Sequence, residues 1–192
     1  MLTFYKDFVS SSQFNAIEQS VNKDIARIKD LALQSKEEES YYSDWLSYIS
    51  DEHLKQLFND PNPYSKVSRK ISLKHGKEYP RLSLTKILTD IFPNYEIHQS
   101  GCFYYPKNGF MGWHTNHDKS EDRLYITFAE EDKQSFFRYY KDGNIITDYD
   151  NKGITIRRFS IPSEPPYFWH CVGSHTDRFS FGYRLTPSSK KI

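Results

Sequence analysis

In the first half of the chain apolar residues return every three or four positions, the spacing of one face of a helix. Phe14, Ile17, Val21, Ile25 and Ile28 follow Ser10, Ser11 and Ser12. This predicts a serine-capped amphipathic helix of about five turns, ending near the mixed-charge run Lys36 to Glu39. That run reads as a solvated loop or helix end rather than a binding surface. A second helical stretch starts near Ser43, carries Trp45, Leu46, Ile49, Leu54, Leu57 and Phe58, and is stopped by Pro61 and Pro63, because proline lacks the amide proton that a helix interior needs. Leu84, Ile87, Leu88, Ile91 and Phe92 make a short third helix that Pro93 ends.

From Tyr95 onward the period becomes that of strands. Aromatic and β-branched runs follow at Tyr95 to Tyr105, Arg123 to Phe128, Ser135 to Tyr140, Asn144 to Tyr149, Gly153 to Ile161, Tyr167 to Cys171 and Arg178 to Leu185. Asp142-Gly143 reads as a tight hairpin turn. Helices followed by strands predict an α+β chain whose β part is a sandwich or barrel with an N-terminal helical buttress. We read one domain over 1–192, mainly helical over 1–93 and β over 94–192, a length that buries one core of ordinary size.

Composition alters this picture little. The 15 Tyr and 14 Phe lie mostly in the C-terminal half and suit strands. With a net charge of +1 and both signs spread along the chain, no basic field favours nucleic acid or an anionic membrane as a partner. The one local basic cluster, Lys66, Arg69, Lys70, Lys74 and Lys77, reads as a solvated face. No signal-peptide pattern and no apolar stretch near the roughly 20 residues of a membrane span occur, so a soluble, cytoplasmic protein is expected. Cys102 and Cys171 are too few for a disulfide framework and lack the spacing of a zinc site.

Chemistry concentrates in two places. His114, Asn116, His117 and Asp118 crowd together just after a strand, and Phe168-Trp169-His170 repeats the Trp-His pair of Trp113-His114. A mononuclear iron(II) site needs three protein ligands on one face of the metal, leaving positions open for a cosubstrate and dioxygen. Eight residues after His170, strand alternation puts Arg178, Ser180, Gly182 and Arg184 on one face and Phe179, Phe181 and Tyr183 on the other. A buried guanidinium needs a partner, and a dicarboxylate could pair with Arg178 through a bidentate fork. His53, His75, His98 and His175 read as structural or exposed.

Together these residues resemble the iron(II)- and 2-oxoglutarate-dependent dioxygenases, in the arrangement of the AlkB-like enzymes. The resemblance covers roughly Tyr104 to Leu185: Tyr105, the turn from Pro106 to Gly109, His114, His170, and Arg178 and Arg184 six residues apart come in the family's order. It implies a double-stranded β-helix (jelly-roll) core, with Fe(II), 2-oxoglutarate and O2 as cofactor and cosubstrates. His114 and His170 would be metal ligands, Arg178 would bind the distal carboxylate of 2-oxoglutarate, Tyr105 and Ser180 would support it, and Arg184 would lie near the chelating end.

The sequence departs from the family pattern where an Asp is expected two residues after His114, and Asn116 stands there. The third ligand would be Asp118 from a rearranged turn, the Asn116 amide oxygen, or water or halide in a vacant position, as in related halogenases; His117 would point away. Trp113, Trp169 and nearby rings would either wall the pocket or belong to the core. The competing reading is a non-catalytic jelly-roll module with a degenerate metal site. A cupin-type site would need a His-x-His pair, and none occurs. The substrate, small molecule or macromolecule, is left open, nucleic acid being possible but not favoured by the charge.

Overall fold

The computed structural model describes residues 4–5, 8–34, 43–59, 67–73, 78–117 and 120–188. In chain order the elements are β1 (Phe4–Tyr5), α1 (Ser11–Gln34), a 3-10 turn (Ser47–Ile49), α2 (Asp51–Phe58), β2 (Ser68–Arg69), β3 (Ile71–Ser72), α3 (Ser83–Ile91), β4 (Tyr95–Tyr105), β5 (Phe110–His114), β6 (Glu121–Ala129), β7 (Ser135–Lys141), β8 (Asn144–Tyr149), β9 (Gly153–Ile161), β10 (His170–Ser174) and β11 (Arg178–Pro187).

The predicted first helix is α1. Ser10 caps it reciprocally, its Oγ accepting from Gln13 N at 3.3 Å while Gln13 Oε1 accepts from Ser10 N at 2.7 Å, a capping box that satisfies two otherwise free amides. The predicted second helix is two elements. Ser50 is extended (φ −77, ψ 164) and its side chain accepts from His53 N, so a good capping residue restarts the helix instead of continuing it. The Lys36 to Glu39 run, His75, Pro61 and Pro63 lie outside the described residues.

The strands form two antiparallel sheets, one in the order β1-β9-β6-β11-β4-β3 and the other β2-β5-β10-β7-β8. Asp142 and Gly143, at φ 51 and φ 83, turn β7 into β8 with the two left-handed positions that such a hairpin requires. Two sequence readings are corrected. The run Tyr167 to Cys171 gives a strand only from His170, and Phe110–His114, read as following a strand, is itself β5.

Three clusters divide the core. One joins Ile17, Val21 and Leu84 from α1 and α3 to Leu124, Phe179 and Phe181 of the six-stranded sheet. A second holds Trp113, Phe110 and Phe136 of the five-stranded sheet, and Trp169 just before β10, with Trp45, Ile49 and Leu54. The third, with Tyr105, Phe137, Phe159 and Val172, lies between the sheets. The two tryptophans beside the histidines are therefore core, and Trp113 Nε1 donates to the Ser50 carbonyl at 2.9 Å. None of the described helices is long and apolar enough to cross a membrane.

Candidate functional site

His114 ends β5 and His170 begins β10, and the two are directly paired across the five-stranded sheet. Two residues further along β10, Val172 pairs with Met111, three residues before His114, so β5 carries one extra residue. Regular alternation from Met111 would turn Trp113 inward and His114 outward. The bulge reverses this: Met111 and His114 both line the cavity between the sheets, while Phe110 and Trp113 pack in the cluster on the other face.

Each imidazole is held by its own strand. His114 Nδ1 lies 2.9 Å from the Gly112 carbonyl and His170 Nδ1 3.0 Å from the Phe168 carbonyl. A carbonyl only accepts, so each Nδ1 carries the proton and each Nε2 keeps its lone pair. Burial, and then the neighbouring His170, lowers the His114 pKa well below 6.5; burial lowers that of His170 to about 4. Both are therefore neutral at physiological pH, with ring centroids 4.0 Å apart.

Asn116, at φ 52, turns its amide back so that Nδ2 lies 3.2 Å from His170 Nε2. His117 does not line the cavity: its Nδ1 is 2.6 Å from Thr115 Oγ1 and its ring rests on Tyr167. Asp118, the alternative third ligand, lies outside the described residues.

Arg178 enters the same cavity from β11 and is 1% exposed. Its Nε donates to Asp150 Oδ2 at 2.8 Å, its guanidinium carbon is 5.1 Å from the Tyr105 ring centroid, and its Nη1 has no hydrogen-bond partner among the described residues. A buried guanidinium nitrogen without an acceptor is costly, and this one borders a cavity of about 120 Å³ that His114, Asn116, His170, Tyr105 and Ser180 also line. Burial alone would raise the Asp150 carboxyl, but Arg178 and Arg157 beside it and the Ser135 hydroxyl hold it well below the usual carboxylate range. Asp150 thus stays ionised and fixes the angle at which Arg178 meets the cavity.

No family model matches this sequence, and no curated protein matches it. Among solved structures the chain is similar to a 2OG-Fe(II) oxygenase family oxidoreductase from Burkholderia pseudomallei, with 15% identity over 73% of this chain and 80% of that one at a TM-score of 0.39. It is similar also to a Trichoplax adhaerens prolyl hydroxylase solved with a hypoxia inducible factor peptide fragment (10% identity, 97% and 83% covered, TM-score 0.49). A Pseudomonas putida prolyl-4-hydroxylase is comparable (11% identity, 96% and 91% covered, TM-score 0.49). With identities of 10% to 15%, the residues of the cavity themselves decide what chemistry it can do.

Those residues fit a divalent metal and a carboxylate. Two neutral imidazoles and an amide make a nitrogen and oxygen donor set of the kind such ions take, and Arg178 Nη1 offers an unused donor. Arg184 is not among the cavity residues. Its Nε faces Glu121 at 3.4 Å, and its cross-strand neighbour Arg123 lines the cavity instead, donating from Nη1 to Ser100 Oγ at 3.0 Å and pairing with Glu121. The alternation of Arg123, Tyr125 and Thr127 carried a signal for this; Asp150, between β8 and β9, carried none. Lys70 is a further correction, since it lines the cavity rather than a solvated face. Of the same cluster Arg69 donates to the Lys107 carbonyl, and Lys66, Lys74 and Lys77 lie outside the described residues.

Proposed function

We propose that this chain is a double-stranded β-helix oxygenase that uses Fe(II), 2-oxoglutarate and O2 to hydroxylate, or otherwise oxidise, a substrate. The observation that carries this reading is the meeting, in one cavity, of two backbone-anchored imidazoles whose Nε2 atoms keep their lone pairs and a buried arginine whose Nη1 has no hydrogen-bond partner among the described residues. His114 and His170 would hold the metal, with the Asn116 amide oxygen or Asp118 as alternatives for the third ligand. Iron(II) bound there would supply activation of dioxygen coupled to decarboxylation of 2-oxoglutarate to succinate and carbon dioxide.

The protein's own residues bind, orient and exclude water. Asp150 holds Arg178 through Nε, leaving Nη1 to receive the distal carboxylate, with the Ser180 hydroxyl and Tyr105 along the same wall. Burial raises the Tyr105 hydroxyl above its ordinary pKa, so it stays protonated and able to donate. The Nδ1 bonds fix both imidazole planes and keep their Nε2 atoms in the ligating tautomer.

The test is anaerobic reconstitution with iron(II), which should give a metal-to-ligand charge-transfer band on addition of 2-oxoglutarate. Arg178→Met should weaken that cosubstrate about tenfold or more, the loss of a charge-assisted hydrogen bond, while metal binding persists. Absence of any cosubstrate binding at millimolar concentration would sink the proposal. The Asn116 amide against His170 Nε2 favours one second reading, a non-catalytic jelly-roll binding module with a degenerate site. Protein purified without bound metal, and unable to take it up, would select that reading.

A further inference from the structure

We infer that Lys70 is a second carboxylate subsite of this cavity and takes a small carboxylic acid other than the cosubstrate. The inference rests on the oxygenase reading only in naming that acid as the compound oxidised. Lys70 is the single residue between β2, which pairs with β5 in one sheet, and β3, which pairs with β4 in the other. Both sheets therefore fix its backbone, and its side chain lines the cavity.

Its ammonium has poor company there. Nζ lies 3.0 Å from Met111 Sδ and 4.1 Å from the Phe103 ring centroid, and among the described residues no carboxylate pairs with it. A thioether is a weak acceptor, and a ring face offers modest attraction. The neighbouring cations differ: Arg178 meets Asp150, Arg157 meets Asp148 and Asp150, and Arg123 meets Glu121. Among the described residues, Lys70 alone of the cations lining the cavity faces no acid, a costly state for a desolvated charge. Burial lowers its pKa to about 8, so it remains mostly charged at neutral pH.

The anion that would pair with Lys70 is a carboxylate on an apolar body, because the ammonium is flanked by Met111 and Phe103. Met111 and His114 are the β5 side chains that line the cavity, so an acid held at Lys70 lays its carbon chain along Met111 on the way to the histidines.

The test uses the full chain with iron(II) and 2-oxoglutarate under anaerobic conditions, titrated by calorimetry with propionate, butyrate and benzoate and with their primary amides. The acids should bind about tenfold or more tightly than the matched amides, the difference a charged hydrogen-bond partner makes. Lys70→Met should erase that preference, Lys70→Arg should keep it, and 2-oxoglutarate affinity should change less than about twofold in both, since no charged partner of the cosubstrate is lost. Equal binding of acids and amides, or no binding, overturns the inference. So does a Lys70→Met protein that loses 2-oxoglutarate affinity instead, which would put Lys70 in the cosubstrate's own site. If the wild-type chain binds the acids through Lys70 but never binds 2-oxoglutarate, the subsite stands and the oxygenase reading fails.

Discussion

Asn116 stands where a carboxylate would complete the proposed ligand set, with its amide nitrogen 3.2 Å from His170 Nε2. An aspartate there would replace a neutral donor with a hard anion. Asn116→Asp is therefore expected to tighten iron(II) binding about tenfold or more, the equivalent of roughly 1.4 kcal/mol, as read by competition with a chromogenic chelator; unchanged affinity would mean that position 116 does not ligate. The histidines also set a pH dependence in the metal-free protein. His170 has a folded pKa of about 4 against an ordinary 6.5, so the unfolded chain binds a proton that the folded chain refuses. Stability is full above pH 6.5 and is lost as pH falls from there toward about 4, with His114 adding in the same direction. Urea midpoints at pH 7 and pH 5 should show this fall, and saturating metal should raise both midpoints while leaving the fall in place, because metal-bound Nε2 atoms still refuse the proton that the unfolded chain takes up.

At the scale of elements, the bulged strand β5 and its partner β10 carry the arrangement. The one-residue slip in their pairing turns His114 inward and leaves Trp113 in the outer cluster. β10 alternates without interruption, His170 and Val172 toward the cavity and Cys171 toward the cluster around Trp45 and Ile49, where Trp169 just before the strand also packs. Gly173 lies on that outer side, where an added Cβ would meet Phe136 Cζ at 2.5 Å and Ile49 Cδ1 at 2.9 Å. The 3-10 turn therefore packs against backbone, not side chain, at this point. Gly173→Ala should cost about 1–3 kcal/mol, the usual penalty of overpacking, as a lower denaturant midpoint with little change in slope. A stability equal to wild type would show that Phe136 and Ile49 move aside freely.

Across the whole molecule, a buried ionic network ties the cavity to strands of both sheets. Asp150, fully buried between β8 and β9, accepts from Arg178 of β11, Arg157 of β9, Thr127 of β6 and Ser135 of β7. Its removal would leave two buried guanidinium groups short of an anion. Asp150→Asn is expected to destabilise the fold by about 3–5 kcal/mol, the range for breaking a buried pair, and to weaken 2-oxoglutarate binding as Arg178 loses its orientation. The wild-type carboxyl is depressed below its ordinary 3.8, so its contribution is complete above that pH and fades only as acid carries the protein down through the folded value. Acid unfolding curves of wild type and Asp150→Asn should therefore converge below pH 3.8.

The local patterns of the chain determined most of its elements. The period of Phe14 to Ile28 makes α1, and the alternation from Arg178 to Tyr183 sends Arg178, Ser180 and Gly182 to the cavity and Phe179, Phe181 and Tyr183 to the helix-covered core. Those signals are legible because a helix or strand repeats its facing at a fixed interval. The two Trp-His pairs likewise marked the histidines that now share one cavity. Tertiary structure alone decided which way His114 faces, because a bulge exists only in the pairing of β5 with β10. It alone brought Asp150 to Arg178 and put Arg123 rather than Arg184 in the cavity wall, since ion pairs between distant strands leave no periodic trace. It also took Lys70 out of an apparently solvated cluster and set it in the wall of the cavity, where two sheets that the sequence does not align converge on one residue.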